Sequence, residues 1–335
     1  MLISKVILCV KKFALLSLLI CLLALLVIQE GKTYDIDKLH VTAQGLDIKK
    51  YLGLYDMEYR NLSGNGVTIA IIDSGVQQHN DLSGSRIIKF VDFVNKKIES
   101  YDDNGHGTFI AGIIGANGKL VGIAPNSKFV VLKALDREGK TTYERLEESL
   151  EWIINNQIKY GIKIVNLSLG IDNFHPNNND SLYKLFYKMK QMGVLVICSA
   201  GNSGPEKNTI VYPAESSDVI TVGSVNNKMT YDYEDDTIMY TSSRGDSSGA
   251  RSYLCKPDIV TFGADIFSLS YKDKGSYETL SGTSFSTAIV SGLSAVLMEK
   301  YPDMNNLFIE NLLRSSTIPL KSQNCFEQGR GSIKM

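Results

Sequence analysis

A basic surplus is missing from this chain. Its 35 Lys and Arg stand against 36 Asp and Glu, a net charge of −1. Proteins that grip nucleic acid carry clustered cationic excess, so that partner is excluded. No short-period repeat and no long low-complexity tract is present, which excludes solenoids and compositionally biased segments. Cysteine is scarce, with five in 335 residues, and does not make a disulfide framework. Cys9 and Cys21 lie in an apolar N-terminal stretch. Cys198 ends the apolar run Val194 to Cys198 and reads as a buried small hydrophobe. Cys255 and Cys325 are left, and the sequence does not say whether they pair. None has a base partner in a recognisable motif, so a cysteine nucleophile is not indicated. Histidine is scarcer still. Only His40, His79, His106 and His175 are available.

The first thirty residues differ in kind from the rest. Lys5, Lys11 and Lys12 precede an uncharged, almost wholly aliphatic run from Phe13 to Ile28. No face of it is polar, against a buried core helix. No small-x-small cleavage site follows between Leu26 and Glu30, and bulky Leu19 and Ile20 disqualify Cys21 as a lipoprotein cysteine. The expectation is an uncleaved signal-anchor helix over residues 13–28, with a cleaved signal peptide and secretion as the alternative. Lysines before the run and Glu30, Asp35 and Asp37 after it put the N-terminus in the cytoplasm and the large domain outside. Residues 29–41 read as a linker and 42–335 as one domain.

From Thr42 onward strands and helices alternate. Val67 to Ile72 is a β-branched run ending at Asp73-Ser-Gly75, a buried strand and its turn. His106 to Gly115 opens a helix. Phe129 to Leu135 is a strand, and Thr142 caps a helix with apolar Leu146, Leu150, Ile153 and Ile154 on one face. Strands follow at 162–169, 194–198 and 219–225, with a helix at 182–192 between the first two. This pattern predicts an α/β fold, a mostly parallel central sheet with helices on both faces. Sites in such sheets form at the carboxyl ends of strands. Asp73, Ser168-Leu-Gly170 and Ser199 to Asn202 all lie at strand ends.

Hydrolysis of a peptide by serine requires a hydroxyl, a base, a carboxylate that orients the base, and donors for the oxyanion. Asp73 closes Ile71-Ile-Asp-Ser-Gly75. His106 stands in Asp103-Asn-Gly-His-Gly-Thr108. Asn202 stands in Ser199-Ala-Gly-Asn-Ser-Gly204. Ser284 stands in Ser281-Gly-Thr-Ser-Phe-Ser286, directly before the apolar stretch Ala288 to Met298. Singly, each has a plainer reading: a turn aspartate, a structural histidine, a turn asparagine, a helix-capping serine. In the order Asp, His, Asn, Ser, coincidence is not a sufficient account.

Over residues 42–335 these motifs resemble the subtilisin-like serine proteases. The resemblance implies the subtilisin-like fold and a catalytic triad of Asp73, His106 and Ser284. Asn202 and the Ser284 backbone N–H would hold the oxyanion, and the glycines beside His106 would leave room for the substrate backbone. His79 matches a structural histidine. The substrate would be a peptide or protein bound as an extended strand, between Ser168-Leu169-Gly170 and Gly139-Lys140-Thr141. Ala200 and Gly201 would line the P1 pocket. Val211 falls near its base, where many relatives have glycine, making the pocket shallow and apolar.

Departures from the family pattern carry expectations too. Asp81 matches a calcium ligand, but the loop Ala116 to Leu120 is short, so no metal or other cofactor is expected there. A weak calcium site at an acidic loop such as Glu234 to Asp236 stays open. Little room for an inhibitory pro-domain separates the apolar run from the domain. Ala288 and Ile289 replace the usual proline and histidine after the nucleophile. Asp232 to Ser252 reads as a solvated acidic excursion. A membrane-anchored processing protease is the expected role, with leader-peptide removal one candidate. The alternatives are an esterase, which would show Gly-x-Ser-x-Gly, and a catalytically inactive binding protein, which would have lost a triad member.

Overall fold

The computed structural model describes residues 39–43, 45–171, 180–246 and 255–335. The apolar run 13–28 and His175 lie outside the described residues. Seven strands form the body of the main sheet: β1 (Thr68–Asp73), β2 (Ile87–Asp92), β3 (Lys128–Lys133), β4 (Ile162–Leu167), β5 (Leu195–Ser199), β6 (Ile220–Asn226) and β7 (Ile259–Phe262). They lie side by side in the order β2-β3-β1-β4-β5-β6-β7, and every pairing among them is parallel. Short strands at Ser332–Ile333 and Thr317–Ile318 extend the β7 edge. Because β1 lies inside this order, the chain leaves it in opposite directions across the sheet, which opens a crevice at its carboxyl end.

β1 is buried at all six positions. Its side chains alternate between two cores. Ile69 and Ile71 enter one, and Ala70 and Ile72 enter the other. The first core is completed by α1 (His106–Gly115) and by α4 (Thr283–Lys300), which contributes Phe285, Ala288, Ile289 and Leu293. The second is closed by α2 (Tyr143–Tyr160) and α3 (Ser181–Gln191), through Leu146, Leu150, Ile153, Leu182 and Phe186. Both faces are therefore covered, as the near-continuous apolar strands require. α4 is buried along Thr283 to Leu297, which is why its sequence shows no polar stripe.

Two expectations need correction. Leu39–His40, read as linker, pairs with Leu120–Val121, and Val41 is buried, so the fold starts earlier than residue 42. The acidic excursion is not simply solvated. Asp232, Glu234 and Asp235 are exposed, but Tyr233, Asp236 and Ile238 between them are buried. Thr237–Ile238 adds an antiparallel strand to β6, and the Tyr233 ring packs on Tyr51 at 3.9 Å. Buried Tyr233 and Ile238, with Asp236 accepting from the Tyr51 hydroxyl, hold the segment down while Asp232, Glu234 and Asp235 face water. Cys255 and Cys325 form a disulfide.

Candidate active site

Asp73 ends β1 with its carboxylate buried. It accepts the Ser74 N–H at 2.7 Å and faces His106 Nδ1 at 2.9 and 3.0 Å. His106 is the first residue of α1, and an aspartate fixes where that helix begins. The buried Asp102 carboxylate accepts the N–H groups of Asn104, Gly105 and Thr108 and the Thr108 hydroxyl, at 2.6–3.0 Å. It thereby satisfies donors that a helix start leaves unpaired. Ser74 Oγ donates to Asp102 and accepts the Gly107 N–H, both at 2.9 Å, tying the end of β1 to the start of α1.

The glycines beside His106 do not make room for substrate. A Cβ on Gly107 would lie 2.1 Å from the Gly75 carbonyl oxygen and 3.1 Å from Asp73 Oδ1. Gly105 adopts a φ of +104°, and a Cβ there would meet the Tyr271 ring at 2.2 Å. Their smallness lets protein backbone close against the histidine.

The imidazole is held above its ordinary pKa. Burial works against the charged ring, but the Asp73 carboxylate, through its charge and its hydrogen bond, outweighs it, and the Asp102 charge adds to this. About a quarter of the His106 side chain remains exposed, whereas Asp73 has none exposed.

Ser284 is the second residue of α4 and is 9% exposed. Its neighbour Phe285 stacks at a tilt 5.8 Å from the His106 ring. In this structure the Ser284 hydroxyl donates to the Ser168 carbonyl at 3.1 Å rather than to His106. Ser168 Oγ donates back to the Ser284 carbonyl at 3.0 Å, and Asn166 Nδ2 donates to Ser168 Oγ at 2.9 Å. The end of β4 is thus latched to the start of α4. Asn202 Oδ1 accepts from the N–H and hydroxyl of Thr283 at 3.0 and 3.2 Å. That anchor fixes the amide and leaves its Nδ2 free to donate. The Ser284 N–H, at the second helical position, has no partner within the helix.

The two expected substrate-binding segments leave main-chain groups without hydrogen-bond partners among the described residues. The amide and carbonyl groups of Leu169 and Gly170, the Gly139 carbonyl and the Thr141 N–H make no hydrogen bond with any described residue. Lys140 is held within its own turn, its N–H on Asp136 Oδ1 at 2.9 Å. Ala200 is buried and Gly201 half-buried. Val211 sits between the two walls. A Cβ on Gly170 would lie 2.2 Å from Val211 Cγ2, and one on Gly201 3.0 Å from Val211 Cγ1.

Asp81 does not offer its carboxylate to a cation. Oδ1 accepts the Lys119 N–H, and Oδ2 accepts the Leu120 N–H and the Tyr277 hydroxyl, each at 2.8 Å. The short loop thus supplies N–H donors where a metal would need oxygen ligands, so the residues do not fit calcium. Among the described residues no cluster of His, Cys, Asp and Glu could hold a metal ion.

A profile of the Subtilase family matches residues 64–331. The chain belongs to this family. Among curated subtilases, the serine protease AprX of Bacillus subtilis (strain 168) is 36% identical over 296 residues, covering 82% of this chain. The chain spans 66% of AprX, just under two thirds of its length. Subtilisin BL of Lederbergia lenta is 31% identical over 273 residues, covering 81% of this chain and 90% of that protein. Among solved structures, the S41 psychrophilic protease superposes with a TM-score of 0.73 at 26% identity, covering 89% of this chain and 99% of that one. Sphericase superposes with a TM-score of 0.70 at 26% identity, covering 82% and 93%. The parallel sheet, the two helical layers and the strand-end site are those of a subtilisin-like fold. Asp102 and Lys133 escape the motif reading, and Ser74, though inside the Asp73-Ser-Gly75 motif, is given no role by it. An aspartate four residues before the helix-start histidine, and a lysine inside the apolar strand Phe129 to Leu135, were the available signals.

Proposed function

We propose that this subtilase is a serine endopeptidase with Asp73, His106 and Ser284 as its triad. The single observation that carries this is the buried Asp73 carboxylate on His106 Nδ1, at 2.9 and 3.0 Å. It sets the tautomer that leaves Nε2 unprotonated and able to accept a proton. An extended substrate adds as a strand to Leu169-Gly170 and to Gly139 and Thr141. A substrate N–H taking the Ser168 carbonyl frees the Ser284 hydroxyl to turn toward His106. Oγ then attacks the scissile carbonyl carbon as its proton passes to Nε2. The carbonyl π pair moves to oxygen, held by the Ser284 N–H and Asn202 Nδ2. Collapse of this intermediate breaks the C–N bond, and the imidazolium returns the proton to the leaving amine. Water repeats the sequence on the acyl-enzyme, releasing the acid and restoring Ser284. Ser284→Ala is expected to abolish both peptide hydrolysis and fluorophosphonate labelling while the protein stays folded. Turnover surviving in that variant would sink the mechanism.

Val211 between Gly170 and Gly201 supports a shallow apolar P1 pocket that prefers small side chains. The location we propose is outside the cytoplasm, because a disulfide persists in oxidising compartments and the lysines before residues 13–28 match an export signal. The run is proposed as a membrane anchor. A native N-terminus that retains it, read by mass spectrometry, supports anchoring, and a mature start near Gln29 to Thr33 means secretion. Among the described residues no helix is long and apolar enough to cross a membrane. The role we propose is processing of exported peptides, with leader-peptide removal as the candidate. Release of an intact leader from a ribosomally made precursor is the test.

A further inference from the structure

Lys133 is the last residue of β3, and its side chain is wholly buried. An ammonium in such a place is stable only where acceptors surround it. Nζ donates to the Ser74 carbonyl at 2.7 Å, to the Leu135 carbonyl at 3.0 Å and to the Asp103 carboxylate. Each of its N–H groups has an acceptor.

The acceptors belong to three segments of the site. Ser74 follows Asp73. Asp103 lies between Asp102, which starts α1, and His106. Leu135 opens the loop that runs to Gly139 and Thr141. Asp73 and Lys133 stand opposite each other in the β1–β3 register. The Asp73 carbonyl also accepts the N–H groups of Ala134 and Leu135, at 2.9 and 3.1 Å.

We infer that Lys133 is a positioning residue, whose buried ammonium clamps the carboxylate strand end, the histidine loop and the substrate-pairing loop into one geometry. The inference rests on the endopeptidase reading above. Lys133 has no surface toward the cleft and takes no part in proton transfer. It acts through Ser74, Asp103 and Leu135. Beside it stand the Asp103 carboxylate and the Tyr101 ring, 5.0 Å from Nζ. A cation that merely neutralised Asp103 would matter for stability alone. One that also holds two carbonyls in place matters for the reacting geometry after Asp103 has been neutralised.

Two variants separate these roles. Lys133→Met removes the clamp and leaves Asp103 unpaired. Lys133→Met/Asp103→Asn removes the clamp and the unpaired charge together. Both are made in the full chain, purified in detergent and compared with wild type. The measurements are thermal unfolding, active-site titration with a fluorophosphonate, and kcat and KM on an extended chromogenic peptide. Misplacement of catalytic groups by about 1 Å costs on the order of 100-fold. The double variant is expected to unfold near the wild-type temperature while its kcat per titrated site stays lower by about that factor, with a smaller change in KM. Return of kcat to the wild-type value in the double variant would overturn the inference. So would failure of the double variant to fold under conditions where Ser284→Ala folds, since Lys133 would then be structural only. Turnover in Ser284→Ala would instead remove the endopeptidase reading, whatever the Lys133 variants do.

Discussion

His79 and His106 are one residue type in two chemical situations. The His79 Nδ1 accepts the Asp81 N–H at 3.1 Å, and its Nε2 meets the Ser276 carbonyl at 3.0 Å, so both nitrogens are occupied by protein. His106 commits one nitrogen to Asp73 and keeps an exposed edge. His106→Ala is expected to lower kcat by about 10⁴ or more. His79→Ala is expected to lower the unfolding temperature without a comparable loss in kcat, and equal catalytic losses in two folded proteins would contradict this assignment. The raised pKa of His106 sets a pH dependence as well. The base must be neutral, so activity falls on the acid side. The limb in kcat/KM is expected above the ordinary imidazole value of about 6.5. Asp73→Asn should move that limb down. A limb unmoved by that change would mean Asp73 is not what holds the imidazolium. The same shift enters stability with a definite sign. The interaction contributes fully below the unfolded pKa of about 6.5 and is lost as pH rises through the higher folded value. The motif residues were legible in the sequence because each needs a particular neighbour type. What Gly105 and Gly107 face was not legible, because it depends on Tyr271 and Gly75 arriving from elsewhere in the chain.

Elements were legible where burial imposes a pattern. The apolar strand ending at Asp73 and the stripe Leu146, Leu150, Ile153 and Ile154 lie where alternation and helical spacing put them, with boundaries displaced by a residue or two. The excursion was misread because its charges dominate its composition while Tyr233, Asp236 and Ile238 anchor it. The loop at Ala116 to Leu120 shows a further limit. Its shortness was visible, but not that its N–H groups turn onto Asp81. With the carboxylate satisfied by Lys119, Leu120 and Tyr277, no tight cation is required there. EDTA is therefore expected to move the unfolding midpoint by only a few degrees, since about 1 kcal/mol shifts a domain of this size by roughly 2–4 °C or less. A large loss on chelation, restored by calcium alone, would show a tight site that this geometry does not provide.

At the scale of the whole molecule, a covalent link and a buried ionic cluster add to the strand pairing and the packing of α4 that hold the chain after β7 to the sheet. The Cys255–Cys325 bond joins residues 70 apart. Closing a loop of that size in the unfolded chain is worth about 4 kcal/mol on the chain-entropy account. The pairing was not legible, because the two cysteines meet only once the strands between them are in place. The cluster is centred on Asp258, which is buried and accepts from Lys256 Nζ at 2.7 Å, Arg314 Nη1 at 2.5 Å and the Thr221 N–H at 2.7 Å. Burial alone would raise its pKa. The charges of Lys256 and Arg314, with the Lys256 and Thr221 hydrogen bonds, reverse that and hold it below the ordinary carboxylate value. For a depressed carboxylate the contribution to stability is present above the unfolded pKa, about 3.9. It is lost as pH falls through the lower folded value. The protein is therefore expected to lose stability steeply below about pH 4. Asp258→Asn leaves the buried Lys256 ammonium without its carboxylate and half-buried Arg314 with Glu310 alone, and is expected to cost about 3–5 kcal/mol near neutral pH. It should also flatten the acid decline, because the group that titrates is gone. Calorimetry of both proteins from neutral pH down through the carboxylate range reads the two effects together. An Asp258→Asn protein that is destabilised but keeps the full acid slope would place the titrating group elsewhere.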